Sequence, residues 1–249
     1  MPLPKVVAPT FELTLLSTGK PVKYRPFLVK EEKALLIALE SGKQKDIIGT
    51  VKNVIKSCVQ SRIKVDELPA FDLEYLFLNI RGKSVGETVE LLVNCNDEPD
   101  TQVPLTIGLS DIGLDVPEGH DKKIDIGGGI SILMKYPSMD EFLRTNFTVT
   151  DKADDDGVDA AFDSVAKCVD TVYTEEEAWT QDDCTLKEIV NFIEQLSSAQ
   201  FKKIEQFFAT MPKLKYEGEV INPNTQVATK VEIEGLANFS DNAISHVNR

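Results

Sequence analysis

Histidine is scarce in this sequence, which holds only two, His120 and His246, among its 249 residues. Histidine is the side chain that most often serves as a general base or metal ligand near neutral pH. Neither histidine belongs to an H-x-x-x-H or H-E-x-x-H pattern, and the sequence has no G-x-S-x-G nucleophile elbow. We therefore expect both histidines to be exposed loop residues and the protein not to be an enzyme, with an unrecognised hydrolase as the alternative.

Cysteine is also sparse, and Cys58, Cys95, Cys168 and Cys184 are too far apart to form a C-x-x-C pair. A structural zinc site needs four ligands, usually in closely spaced pairs, so a zinc site at Cys95 is not expected. The first residues, Met1–Lys5, lack the apolar core of a signal peptide. We expect reduced thiols and a protein that is made and folds in a cytoplasm.

Basic residues are outnumbered, with 27 lysines and arginines against 41 aspartates and glutamates and a formal charge of −14. Phosphate binding needs clustered cations, so we expect no nucleic-acid partner. No apolar run approaches the roughly 18–20 residues that span a bilayer, so we expect no membrane partner either. The acidic balance is typical of a soluble protein, and a basic protein partner is the other interpretation.

Two glycine-containing segments resemble ligand loops only in part. The run Gly127–Gly129 lacks the spacing of a phosphate-binding loop and instead predicts a tight turn or bulge between two short strands.

If Gly157 is placed at the invariant glycine of a calcium loop, Asp154 and Asp156 take ligand positions. Lys152 then occupies the first ligand position, and Asp163 replaces the bidentate glutamate of the last one. The segment is therefore expected to be a solvated acidic loop. A calcium-dependent binding module remains an alternative, and we expect no metal and no cofactor.

The hydrophobic pattern predicts an α+β fold. Alternating segments joined by turn residues predict antiparallel hairpins at the N-terminus, the centre and the C-terminus: residues 11–24, 88–107 and 213–236. Amphipathic helices are expected between them, three in residues 30–82 and three more at 159–173, 185–196 and 198–210. Whether the N- and C-terminal hairpins share one sheet is left open by the pattern.

The acidic run at 151–156 is the best boundary candidate in the sequence. It divides an N-terminal α+β half with the central hairpin, residues 1–150, from a helical segment with the C-terminal hairpin, residues 151–249. We expect the two halves to pack as one unit.

Several blocks carry a family resemblance across residues 3–239. They occur in a fixed order: Ser17–Lys33, Leu68–Leu78, Arg81–Glu87, Phe207–Leu214, Asn222–Thr225 and Val231–Leu236. Together they resemble the base-plate hub family of T4-like contractile-tailed bacteriophages. Some relatives have a cysteine-paired knuckle or a Cys-Pro turn where this sequence has Cys95-Asn96-Asp97, so a metal role there is not carried over.

The resemblance implies a non-catalytic protein that builds the base-plate hub, either as a virion component or as a transient assembly chaperone. It implies other hub and tail proteins as partners, the host cytoplasm during assembly as its location, and the tail base plate of the virion for a component.

Residue types favoured at protein interfaces suggest where partners bind. The candidate positions are Tyr24, Arg25, Pro26, Phe27, Trp179, Phe207, Phe208 and Met211. Internal packing is the competing interpretation for each of them: a strand end against the first helix, a helix anchor at Trp179, and a core contact for the last three.

Overall fold

A computed structural model describes residues 7–142 and 155–234. The helices in these residues are α1 (Val29–Glu40), α2 (Gln44–Cys58), α3 (Ala70–Ser84), α4 (Asp155–Lys167), α5 (Leu186–Glu194) and α6 (Ser198–Ala209). The strands are β1 (Phe11–Thr14), β2 (Pro21–Tyr24), β3 (Thr88–Asn94), β4 (Gln102–Gly108), β5 (Gly113–Asp115), β6 (Lys123–Gly127), β7 (Ile130–Met134), β8 (Val169–Tyr173), β9 (Ala178–Thr180), β10 (Lys213–Ile221) and β11 (Ala228–Glu234). All strand pairs are antiparallel, which confirms the predicted α+β class.

The described chain divides into two compact units. Unit 1 contains residues up to 115 together with those from 213 onward, and unit 2 contains residues 116–212. The boundary expected from the sequence falls within residues 143–154, outside the described part, and stays a prediction. No helix in the described ranges is long and apolar enough to cross a membrane.

Unit 1 is built around α3. This helix is buried on nearly every face from Phe71 to Ile80, so the rest of unit 1 surrounds it. Its residue Leu78 packs in a cluster with Val89, Ile107 and Leu214 from the neighbouring sheets. The three predicted hairpins are confirmed as β1–β2, β3–β4 and β10–β11, and β5 adds to the edge of β10. The N- and C-terminal hairpins lie in different sheets.

Unit 2 is a four-stranded sheet, in the order β6-β7-β8-β9, that packs with α4, α5 and α6. Its core combines Ile132 and Val169 from the sheet with Ile189, Ile193 and Ile204 from the helices. The predicted turn at Gly127–Gly129 is confirmed: all three glycines have positive φ, and a bulge precedes them in β6. Trp179, described below, lies on the edge strand β9 of this sheet.

Candidate functional site

The first candidate segment, Tyr24–Phe27, lies between β2 and α1. Tyr24 is 2% exposed, and its backbone forms an antiparallel β-bridge with Val59 at the end of α2. The Arg25 guanidinium donates to the carbonyl of Ser57 at 3.0 Å and to the carboxylate of Glu31 at 2.9 Å. These groups are engaged in joining β2 to α1 and α2 within unit 1. Their contact with a partner stays a prediction.

Pro26 and Phe27 are also engaged in contacts within unit 1. Pro26 is buried, and its carbonyl accepts a hydrogen bond of 2.8 Å from Arg25. The N–H of Phe27 donates to the hydroxyl of Ser84 at 2.9 Å, so the segment also reaches the end of α3.

The carboxylate of Glu31 lies at the centre of this junction. Burial alone would raise its pKa, but hydrogen bonds from the Arg25 guanidinium and the Leu28 N–H outweigh burial and hold the pKa below its usual range. Glu31 is therefore charged and depends on Arg25.

Replacing Arg25 with alanine is expected to lower the free energy of unfolding by about 2 kcal/mol, because a buried carboxylate loses its counter-ion. Urea unfolding at neutral pH measures the change. Lys30→Ala is the matched control: the Lys30 amine lies 3.4 Å from the same carboxylate oxygen, but its side chain is 72% exposed. We expect that variant to lose less than about 0.5 kcal/mol. Equal losses in the two variants would contradict the assignment of Arg25 as the counter-ion on which Glu31 depends.

The second set of candidates, Phe207, Phe208 and Met211, lies at the end of α6 in unit 2. Phe207 is 3% exposed and belongs to the core, while Phe208 and Met211 are partly buried against that core. The rings of Phe207 and Phe208 meet edge to face with centroids 5.2 Å apart. Their contact with a partner also stays a prediction.

His120 packs against this aromatic group, contrary to the exposed position expected from the sequence. Its ring lies beside both Tyr136 and Phe207, with centroids 5.6 and 5.3 Å away, and those two rings are themselves 5.7 Å apart. Its Nδ1 lies 3.0 Å from the hydroxyl of Thr210 and its Nε2 lies 3.0 Å from the hydroxyl of Tyr136. Burial lowers the pKa of His120, Asp121 opposes the shift and Lys122 adds to it.

We expect unit 2 to lose stability as the pH falls below about 6.5, the ordinary pKa of an unfolded histidine. Because the folded pKa of His120 is lowered, the unfolded state binds a proton first, and the loss continues down to the lowered value. Urea unfolding followed by the fluorescence of Trp179 measures this slope. His120→Asn should remove it, and a slope that persists in that variant would assign it to another group.

The third candidate, Trp179, lies on the edge strand β9 and is 39% exposed. It pairs with Val172 of β8 across the sheet. Its side chain borders an open cavity of about 290 Å³ between the sheet and α5. We call this cavity the Trp179 groove. Its apolar walls are Ile130, Val169, Val172, Trp179, Cys184, Ile189 and Phe192.

Hydrogen bonds fix the segments on both sides of Trp179. The amide of Gln181 donates to the carbonyls of Lys167 and Val169 at 2.9 and 2.6 Å. The Thr180 N–H donates to the Asp183 carboxylate at 2.9 Å, and the Asp183 N–H donates back to the Thr180 carbonyl at 3.0 Å. The groove is therefore bordered by an ordered turn.

The chain segment that supplies most of the groove walls is acidic, and we call its carboxylates the acidic rim. Residues 169–189 contain seven carboxylates and one lysine, a net charge of −6. The carboxylates are all on exposed residues: Asp170, Glu175, Glu176, Glu177, Asp182, Asp183 and Glu188. Hydrogen bonds from Thr180 lower the pKa of Asp183, and hydrogen bonds from Thr185 lower the pKa of Glu188. These two carboxylates are ionised at neutral pH.

The other ligand patterns of the sequence fall as follows. Cys95 is buried, and burial raises the pKa of its thiol. Its acidic neighbours Asp97 and Glu98 are hydrogen-bonded to residues of the β10–β11 turn. In residues 7–142 and 155–234, no three histidine, cysteine or acidic side chains lie together as metal ligands would. Gly157 lies inside α4, whereas a calcium loop needs a sharp turn at its glycine. His246, Lys152 and Asp154 lie outside the described residues.

The groove walls were missed in the sequence, although Trp179 itself was singled out. The strand β8 was expected to be the end of a helix over 159–173. The β-branched and aromatic residues Val169, Thr171, Val172 and Tyr173 are the available signal for a strand.

One protein family matches this chain by its sequence model over residues 8–240, and its description is T4 bacteriophage base plate protein. The match spans both units and nearly the whole chain. Searches of curated proteins and of solved structures find no match. The family indicates a structural role in the phage base plate, contact with other base-plate and tail proteins, and a location in the virion tail. The chain thus belongs to the T4 bacteriophage base plate protein family.

Proposed function

We propose that this protein is a non-catalytic protein of the base-plate hub that acts in assembly of the central hub through protein–protein contacts. The observation that carries the proposal is the family match over residues 8–240. The resemblance of the ordered sequence blocks to the hub family supports the finer assignment to the hub.

The use of polar groups supports a structural role. In unit 1, Asp72 binds the turn of the β1–β2 hairpin, and Glu31 binds Arg25. Asn222 binds Asp97 across two hairpin turns. Asp72 and Asn222 join segments that are distant in sequence, which is the use expected of polar groups that hold a fold together.

Co-purification from infected cells tests the hub assignment. A tagged copy of the full chain is expected to bring down hub proteins of the base plate, identified by mass spectrometry against the phage proteome. Recovery of base-plate proteins from outside the hub would remove the hub assignment and keep the family role. Recovery of no tail protein would remove both.

Mass spectrometry of purified virions separates a component from a transient assembly chaperone. A component is expected in mature particles in a fixed ratio to other base-plate proteins. A chaperone is expected to co-purify with hub proteins during host cytoplasmic assembly and to be absent from particles. We propose the component role, so absence from particles would overturn it in favour of the chaperone.

A further inference from the structure

The Trp179 groove has the size of a side-chain site. Small-molecule pockets begin at about 300 Å³ and enclose most of their ligand. The groove holds about 290 Å³ and is open to solvent, with a tryptophan on one side and Phe192 of α5 on the other. Interface hot spots have this form: an aromatic or aliphatic anchor enters an apolar pocket.

The charge around the groove selects the chemistry of the occupant. Asp170 and Glu188 line the groove itself, and Glu175, Glu176 and Glu177 precede Trp179 with one alanine between. An occupant with acidic flanks would bring like charges together, while lysine or arginine beside the anchor would pair with the rim. A second copy of this chain is a poor occupant for the same reason, because its formal charge is −14.

The backbone at the sheet edge favours side-chain recognition over strand addition. The strand β9 has three residues, and the N–H and carbonyl of Thr180 are both used by Asp183. The acidic loop before it is also held: the Thr174 N–H donates to the Glu177 carbonyl at 2.8 Å. A pre-ordered site of this kind loses little conformational entropy on binding.

We propose that the Trp179 groove binds a basic segment of another base-plate or tail protein, which inserts one aromatic or aliphatic side chain beside Trp179 and places lysine or arginine against the acidic rim. This proposal rests on the proposed function, since it names the chemistry of a partner for that assembly role.

A photo-cross-linking residue at position 179 of the full-length protein tests the occupant. In infected cells we expect it to cross-link to one segment of a base-plate or tail protein that carries lysine or arginine beside an apolar residue. A cross-link to a second copy, or to a segment without basic residues, would overturn the proposal. So would the absence of a cross-link while tail proteins still co-purify.

A peptide of the cross-linked segment then allows the charges to be tested. Trp179 is the sole tryptophan, so its fluorescence reports binding directly. We expect Asp170→Lys with Glu176→Lys to weaken binding roughly tenfold or more, and added salt to weaken wild-type binding. The matched control is Asp163→Lys with Glu205→Lys, the same charge change at exposed positions outside residues 169–189.

Each outcome decides one of the two proposals. We expect the control pair to bind within about twofold of wild type. Equal loss in both pairs would mean that only the net charge matters and would overturn the groove. If the unlabelled wild-type chain brings down no tail protein at all, the proposed function fails. If the variant with reversed groove charges brings down tail proteins as efficiently as the wild type, only the groove proposal fails.

Discussion

Replacing Asp72 with alanine is expected to lower the free energy of unfolding by about 4 kcal/mol, the largest effect we expect from a single side chain. Asp72 is fully buried in the first turn of α3. Its Oδ1 accepts hydrogen bonds from the N–H groups of Leu16 and Ser17 at 2.9 and 3.2 Å, and its Oδ2 accepts from the Ser17 hydroxyl. One carboxylate thus satisfies three donors in the turn after β1.

The size of the effect follows from what is left behind. Alanine leaves the three donors without their acceptor, and each bond to a charged group contributes about 1.5–3 kcal/mol in such settings. The contributions are not additive, because Leu16 is 37% exposed and water can replace part of the carboxylate. The negative charge near the N-terminus of α3 is also lost, which removes a favourable interaction with the helix dipole.

Urea unfolding measures the loss, and hydrogen exchange locates it. We expect faster exchange across residues 15–24 in Asp72→Ala than in the wild type. Asp46→Ala is the control, since Asp46 also lies in the first turn of a helix but is exposed. That variant should lose no more than about 1 kcal/mol. A similar loss in both variants would mean that the helix dipole, and not the bonds to the hairpin turn, accounts for the effect.

The local elements were predictable because their signals lie within short windows. The alternation in Phe11–Thr14 and Thr88–Asn94 and the turn residues after them identify hairpins without knowledge of the rest of the fold. The capping box at Thr185 and Glu188 likewise identifies the start of α5, and both of its hydrogen bonds are present.

Elements decided by distant pairing were not predictable in the same way. The helix expected to run through Tyr173 ends at Lys167, because Val169–Tyr173 pairs with β7 and β9 on its two sides. A short apolar segment fits both the helical and the strand period of hydrophobic residues, so the strands that pair with it decide its structure. Gly82, the last residue of the range 30–82 in which three helices are expected, lies inside α3, where a Cβ would meet the side chain of Leu109 at 2.5 Å.

The candidate site also combines a local sequence signal with a long-range contact. A lone tryptophan after three glutamates was visible in the sequence as either an anchor or an interface residue. The groove beside it requires α5 to pack on β8, and Phe192 and Val172 are twenty residues apart. A long-range contact of this kind leaves no local pattern. The partner role of Trp179 therefore rests on the assembled geometry and its charge.

The sequence blocks that resemble the hub family meet in the folded chain. The block at Ser17 binds Asp72 of the second block, and Phe27 binds Ser84 of the third. The first three blocks thus contact one another within unit 1. The groove in unit 2 lies outside these blocks.

Asn222 is the second side chain with a large expected effect. It is fully buried at the turn between β10 and β11. Its Nδ2 donates to both oxygens of Asp97 at 3.2 Å and to Glu98 at 3.4 Å, and its Oδ1 accepts from the Asn224 N–H at 2.9 Å. The amide therefore joins the tip of the β3–β4 hairpin to the tip of the β10–β11 hairpin, about 125 residues away in sequence.

We expect Asn222→Ala to lower the free energy of unfolding by about 3 kcal/mol, because the substitution removes a buried amide that binds two carboxylates and leaves those like charges side by side. Urea unfolding at neutral pH measures the change. Asn224→Ala is the control, since its exposed amide binds Glu98 and Thr101 but not Asp97. That variant should lose less than about 1 kcal/mol.

The pH dependence separates this network from simple loss of packing. Hydrogen bonds from Thr225 and then Asn222 lower the pKa of Asp97, and hydrogen bonds from Asn224, Thr101 and Asn222 lower the pKa of Glu98. A lowered folded pKa contributes stability above the unfolded values of about 4, and this stability is lost as the pH falls through the folded value. Asn222→Ala returns both values toward those of the unfolded chain, so its stability should fall less steeply in acid than that of the wild type. If the two proteins lose stability in parallel below pH of about 4, the amide stabilises the hairpin tips by packing and not by binding the charged carboxylates.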